Sequence, residues 1–164
     1  MSIRRARPDD AARLLEIYAP VVEETTASFE LVAPTVEAFA KRIAAALETH
    51  EWLVMEDGDA LCGYAYATAH RAREAYRFAV ETSVYVSRAH HRKGVGRQLY
   101  AALFPILSDL GYHNAYAGIT LPNDPSVALH ESVGFEPIGT FREVGYKHGE
   151  WRDVGWWQRS LSAG

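Results

Sequence analysis

The stretch from Thr82 to Leu110 restricts this chain's fold most. An apolar, strand-like run, Thr82-Ser83-Val84-Tyr85-Val86, passes through the basic loop His91-Arg92-Lys93-Gly94-Val95-Gly96 directly into an amphipathic segment. In that segment, Gly94 to Leu110, the residues Leu99, Leu103, Ile106 and Leu110 recur at helical spacing, with Pro105 expected to kink the helix. The first N–H groups of a helix lack partners inside it and carry partial positive charge. Glycines that allow close approach there create a phosphate site. Arg92, Lys93 and Arg97 add charge around it. Two other phosphate loops are excluded. After Gly96 the chain reads Arg97-Gln98 rather than Gly-Lys-Ser/Thr, so this is no Walker A loop. Leu99 stands where a dinucleotide fingerprint needs its third glycine, and no acidic residue ends the next strand near Thr120.

The flanking segments extend the pattern. Ile3 to Ala6 reads as a first strand, and Pro8-Asp9-Asp10 opens a helix carrying Leu14, Ile17, Tyr18 and Val22. Thr35 caps a second helix in which Val36, Phe39, Ile43 and Leu47 share a face. Trp52 to Met55 and Ala60 to Thr68 read as a hairpin across Asp57-Gly58, and Phe78 to Ser87 as a third strand beside them. Ala115 to Leu121 is a further strand. Asp124-Pro125 starts a short helix that Gly134 closes, and strands at Phe135 to Val144 and Trp151 to Leu161 flank the turn Lys147-His148-Gly149. The expected fold is α+β in the order βααβββαβαββ, one domain over 1–164, because one core serves this length.

Composition narrows the partners. A net charge of -4 argues against a nucleic-acid binder, which needs a basic face. One cysteine, Cys62, rules out an intrachain disulfide and fits a cytoplasmic location. No apolar stretch long enough to span a bilayer or to serve as an export signal is visible, so no membrane partner is expected. The histidines lack metal-ligand spacing, and the default for those outside the motifs, including the pair His90-His91, is a surface or loop position.

The loop resembles the Gln/Arg-x-x-Gly-x-Gly/Ala pattern of the GCN5-related N-acetyltransferase superfamily, with His91 in the Gln/Arg position. A second block, from Leu121-Pro122-Asn123-Asp124-Pro125-Ser126 through Leu129-His130-Glu131-Ser132-Val133-Gly134-Phe135, is similar to that family's Asn...Leu-Tyr-Glu-x-x-Gly-Phe pattern. With Val80 to Val86 and Tyr146 to Gly155, the chain resembles the phosphinothricin and methionine sulfoximine acetyltransferase branch over nearly its whole length. The resemblance implies a mixed, mostly antiparallel sheet flanked by helices, acetyl-CoA as co-substrate with no metal, and a small-molecule amine acceptor. It also implies a homodimer. Residues 91–97, from His91 to Arg97, would hold the pyrophosphate, while Val84 and Val86 on the strand from Ser83, together with Asn123 and Ser126, would meet the pantetheine arm.

Acyl transfer from a thioester to an amine requires a deprotonated amine, a stabilised oxyanion and a protonated leaving thiolate. Glu81 lies in an otherwise apolar run, where a carboxylate has little structural reason to be, and is the candidate base. Strand alternation puts it on one face with Ala79, Ser83 and Tyr85. The plainer alternative is an edge glutamate paired with a basic residue. His130 stands where many relatives carry a tyrosine that protonates the CoA thiolate; its alternative is a packing histidine beside Leu129 and Val133. The resemblance also assigns Phe29 and the loop carrying Arg71, Arg73 and Tyr76 to the acceptor pocket, with Arg73 and Tyr76 binding a carboxylate and Arg71 as a further candidate. Trp151, Trp156 and Trp157 read as packing residues, with their hairpin able to build a subunit interface. The rival functions are acetylation of protein N-termini or other amines, and an acyl-CoA-binding module without turnover.

Overall fold

The computed structural model describes residues 1–162, laid out around one seven-stranded sheet. In chain order the elements are β1 (Ser2–Arg5), α1 (Ala11–Glu24), α2 (Val36–Thr49), β2 (Trp52–Asp57), β3 (Ala60–Ala69), β4 (Ala79–Val86), α3 (Val95–Asp109), β5 (Asn114–Leu121), α4 (Asp124–Ser132), β6 (Glu136–Lys147) and β7 (Glu150–Ser160). This is the expected βααβββαβαββ order. The strands lie as β1-β2-β3-β4-β5-β7-β6, antiparallel throughout except for the parallel pair β4 and β5.

Residues on β2 show why the sheet sits in the middle. Trp52, Leu53, Val54 and Met55 are all buried. Because neighbouring side chains on a strand point to opposite faces, this run needs cover on both sides. Leu53 and Met55 pack with Leu99, Leu103 and Leu107 of α3; Trp52 and Val54 pack with Leu14 of α1 and with Phe39 and Ile43 of α2. Each fully buried leucine of α3 contributes roughly 1.5–3 kcal/mol relative to an exposed one.

Several local details differ from the sequence reading. The first hairpin turns on Gly58-Asp59, with Asp57 already paired to Ala60, because Gly58 supplies the positive φ of 61° that the tight turn requires. The last hairpin turns on His148 and Gly149, both at positive φ, which leaves Lys147 inside β6 and buried rather than in an exposed turn. Asn123, not Asp124, caps α4, its side chain accepting a hydrogen bond from Ser126 N at 3.3 Å. α3 continues through Pro105 to Asp109.

Candidate active site

β4 and β5 are paired only at Ala79↔Asn114, Val80↔Ala115 and Glu81↔Tyr116. Beyond that point β4 stays with β3 as far as Val86, while β5 stays with β7 as far as Leu121. The two strands therefore part, and a cleft of about 900 Å³ opens between them. Its walls carry Val84 and Val86 from β4, Asn123, Ser126 and His130 from the α4 region, and His91, Arg92, Gly94, Val95, Gly96 and Arg97 from the loop and α3. Lys93 is exposed and lies outside the lining.

The loop enters α3 through two left-handed residues, Arg92 at φ 64° and Gly94 at φ 74°. Gly94 is the N-cap and contributes no side chain, so the first N–H groups of α3 are left for an anion. Gly96 has a different task. A Cβ there would stand 2.9 Å from Leu129 Cδ2 and 3.6 Å from Val84 Cγ2, so its bareness lets α3 close against the cleft wall. The His91 ring is exposed and turns back, with Nε2 3.0 Å from Val86 O. Basic side chains at the mouth, a helix N-terminus and a long apolar cleft suit a ligand with a pyrophosphate at one end and an extended arm.

His130 is 4% exposed on the cleft floor. Its Nδ1 lies 2.7 Å from Ser126 O, and a carbonyl can only accept, so Nδ1 carries the proton. Nε2 then accepts from Tyr100 Oη at 2.9 Å in the neutral ring, and Tyr100 also meets Thr82 Oγ1 at 3.2 Å. Burial pulls the His130 pKa below its ordinary value, with the Ser126 carbonyl opposing it, and burial pushes the Tyr100 hydroxyl well above its own. Neutral His130 therefore has both ring nitrogens engaged and no proton directed into the cleft.

Glu81 belongs to the other side of the sheet. Val80 and Thr82 are buried, whereas the Glu81 side chain is 35% exposed, on the face beyond the reach of α1 and α2. It is the last residue of β4 paired to β5, so it sits at the apex where the cleft begins. The strand is central in the sheet, which removes the edge-strand part of the plainer reading. Its partner is His70, whose Nδ1 lies 2.8 Å from Glu81 Oε2. The sequence reading left His70 among the surface histidines, whereas its side chain is only 16% exposed. β3 and β4 form a hairpin in which Thr68 pairs with Glu81, and His70, two residues beyond Thr68, falls on the same face, a juxtaposition that only the register between the strands fixes.

Around this pair the sheet presents Tyr116 and Trp156, with Tyr76 reaching in from the 70–78 loop. Arg71 and Arg73 on that loop are exposed and make no ion pair among the described residues. Phe29, on the loop between α1 and α2, packs against Gly145, where any side chain would collide with its ring. That loop is anchored from beneath. Lys147 Nζ donates to Val22 O at 2.6 Å and to Ser28 O at 2.7 Å. Glu30 meets Arg42 and Tyr18, and the Arg42 guanidinium holds the Glu30 carboxyl below its usual range. Among the described residues no group of three or more His, Cys, Asp or Glu side chains could hold a metal ion, and no helix is long and apolar enough to cross a membrane.

Comparison with known proteins agrees with this geometry. Residues 3–156 match the family described as "Acetyltransferase (GNAT) domain". Phosphinothricin N-acetyltransferase of Streptomyces viridochromogenes is 40% identical over 161 residues, covering 98% of this chain and 88% of that protein. The L-methionine sulfoximine/L-methionine sulfone acetyltransferase of Salmonella typhimurium is 36% identical over 162 residues, covering 98% and 95%. A phosphinothricin acetyltransferase from Sinorhizobium meliloti, solved in complex with AcCoA, superposes with a TM-score of 0.94 at 35% identity, covering 99% of this chain and 89% of that one.

Proposed function

The chain belongs to the GNAT family of acetyltransferases, and we propose that it transfers an acetyl group from acetyl-CoA to the α-amine of a small amino-acid-like acceptor of the phosphinothricin or methionine sulfoximine type. One observation carries the reading. Glu81 is the last β4 residue paired to β5, immediately before Thr82 where the cleft lining begins, and its carboxylate bonds to His70 on the aromatic face with Tyr116 and Trp156.

In this reading the N-terminus of α3, with Arg92 and Arg97, takes the pyrophosphate, and the separated edges of β4 and β5 offer backbone groups to the pantetheine arm. The cap uses Asn123 Oδ1, which leaves its amide N–H groups for the same arm. An acceptor lying on the aromatic face, between Phe29 and the loop carrying Arg71, Arg73 and Tyr76, brings its ammonium to Glu81, which accepts a proton directly or through water. The freed amine attacks the thioester carbonyl, the C–N bond forms, the C–S bond breaks, and the proton that the nitrogen sheds on becoming an amide passes to the departing thiolate to give the CoA thiol. Arg73, a planar fork of donors, receives the acceptor carboxylate. We place His130 in a supporting role on the thiolate side. Neutral and doubly bonded, it fixes Tyr100 and the first turn of α4 behind the cleft. The free, buried Cys62 supports a cytoplasmic location.

A homodimer through the β6–β7 hairpin belongs to the same proposal. β6 is an edge strand twelve residues long, and Ile138, Phe141, Val144, Tyr146 and Trp151 on this hairpin are all at least half exposed. A long apolar edge of this kind is normally covered by another chain.

The test is Glu81→Gln, which keeps the shape and removes the basicity. Turnover near neutral pH should fall roughly ten- to ten-thousand-fold, the range for a lost general base, with acetyl-CoA affinity unchanged by calorimetry. A wild-type rate at every pH would assign Glu81 to structure.

A further inference from the structure

We propose that His70 is a positioning residue for acetyl transfer: it holds the Glu81 carboxylate in the orientation that takes the acceptor's proton. The inference rests on the reading of Glu81 as the base.

Glu81 is exposed enough for its long side chain to sample several rotamers, and among the described residues His70 is its one hydrogen-bond partner. His70 is itself immobilised. Its ring stacks on Tyr116 with centroids 5.1 Å apart and planes at 26°, while Tyr76 and Trp156 meet it edge-on at 5.8 and 6.3 Å. A carboxylate can only accept, so Nδ1 bears the proton and the tautomer is fixed by the contact. Glu81 Oε2 is thereby occupied, and Oε1 remains as the proton-accepting oxygen. The platform beneath the ring, Tyr116, is the register partner of Glu81 in the last parallel pair before the strands separate. The dyad is thus anchored at the apex of the cleft. Through Tyr76 it also touches the loop assigned to the acceptor, so binding there can tighten the same contact.

Two substitutions separate this role from packing. His70→Phe keeps a flat ring against Tyr116 and removes the donor, whereas His70→Asn returns an N–H near the Nδ1 position. With methionine sulfoximine and phosphinothricin as acceptors, His70→Phe should lower kcat ~10–100-fold with both KM values within ~3-fold of wild type, as expected for a misplaced reacting group. His70→Asn should return kcat to within ~5-fold of wild type. Added to Glu81→Gln, His70→Phe should cost nothing further, since residues acting as a unit are not additive. Melting temperatures recorded alongside identify any loss due to unfolding. If Glu81→Gln is slow while folded His70→Phe has wild-type kcat, the assignment of His70 fails alone. If Glu81→Gln itself turns over normally, the base reading fails and this inference with it. A folded His70→Asn as slow as His70→Phe, or an equal loss in the Glu81→Gln background, also overturns the positioning role.

Discussion

Lys147→Met tests how the acceptor wall is held, and its size follows from two contacts. Lys147 is 2% exposed, and its ammonium donates to Val22 O, near the end of α1, and to Ser28 O, beside Phe29. Hydrogen bonds from a charged donor contribute ~1.5–3 kcal/mol each, about 3–6 kcal/mol for the pair. Methionine fills a similar volume and removes the cost of burying an ammonium, but it leaves both carbonyls without this donor. A net loss of about 2–4 kcal/mol follows, which for a chain of this size lowers Tm by roughly 4–16 °C. Calorimetry reads the loss directly. Kinetics should show a raised acceptor KM, since Ser28 precedes Phe29, and a weakened acetyl-CoA affinity as well, since Val21 and Ala27, next to the two carbonyls, line the β4–β5 cleft. A Tm within about 1 °C of wild type would mean that these contacts carry no net stability, and the anchoring argument would fail.

Further expectations are specific to single residues. Gly94→Val forces a β-branched residue to φ 74°, at a cost of ~1–2 kcal/mol or a shift of the loop; acetyl-CoA affinity should fall about tenfold or more, and a calorimetric Kd within ~2-fold of wild type would refute the role of the helix N-terminus. For His130 the folded pKa is depressed by burial, so as pH drops below the unfolded value of ~6.5 the unfolded chain takes up the proton first. Its contribution to stability is therefore full above that pH and is lost as pH falls toward the folded value. His50 is shifted the same way by burial, so the measurement is the difference between wild type and His130→Gln in urea melts from pH 7 to 5; equal slopes would refute it. The β6–β7 interface predicts a dimer by light scattering that Phe141→Lys with Tyr146→Lys converts to a folded monomer.

Features set by neighbours in sequence are legible in the sequence alone. The alternation of Trp52 to Met55, the helical repeat from Leu99, and the glycine that enters α3 all act within a few residues of themselves. The element order followed from these local signals. His70 and Lys147 eluded the same reading because their partners are fixed by strand register and by packing between distant segments. His70 meets Glu81 across a hairpin, and Lys147 reaches carbonyls more than a hundred residues earlier. The capping bond of Asn123 depends on where α4 begins, a boundary that composition leaves open by a residue. For His130 the resemblance implies a proton donor to the thiolate, with a packing histidine as the alternative; that both ring nitrogens are bonded depends on α3 bringing Tyr100 against α4.

The central claim, acetyl transfer to an amine that carries an α-carboxylate, is tested most directly by comparing methionine sulfoximine with its decarboxylated amine. Thiol release from acetyl-CoA is followed with wild-type enzyme and with Arg73→Lys at one salt concentration. A charge-assisted hydrogen bond is worth ~1.5–3 kcal/mol, so wild-type kcat/KM should favour the amino acid by at least ~10-fold. Arg73→Lys should narrow that preference, because lysine keeps the charge and loses the fork. Equal kcat/KM for the two compounds with wild-type enzyme, or turnover confined to peptide amines, would contradict the assignment.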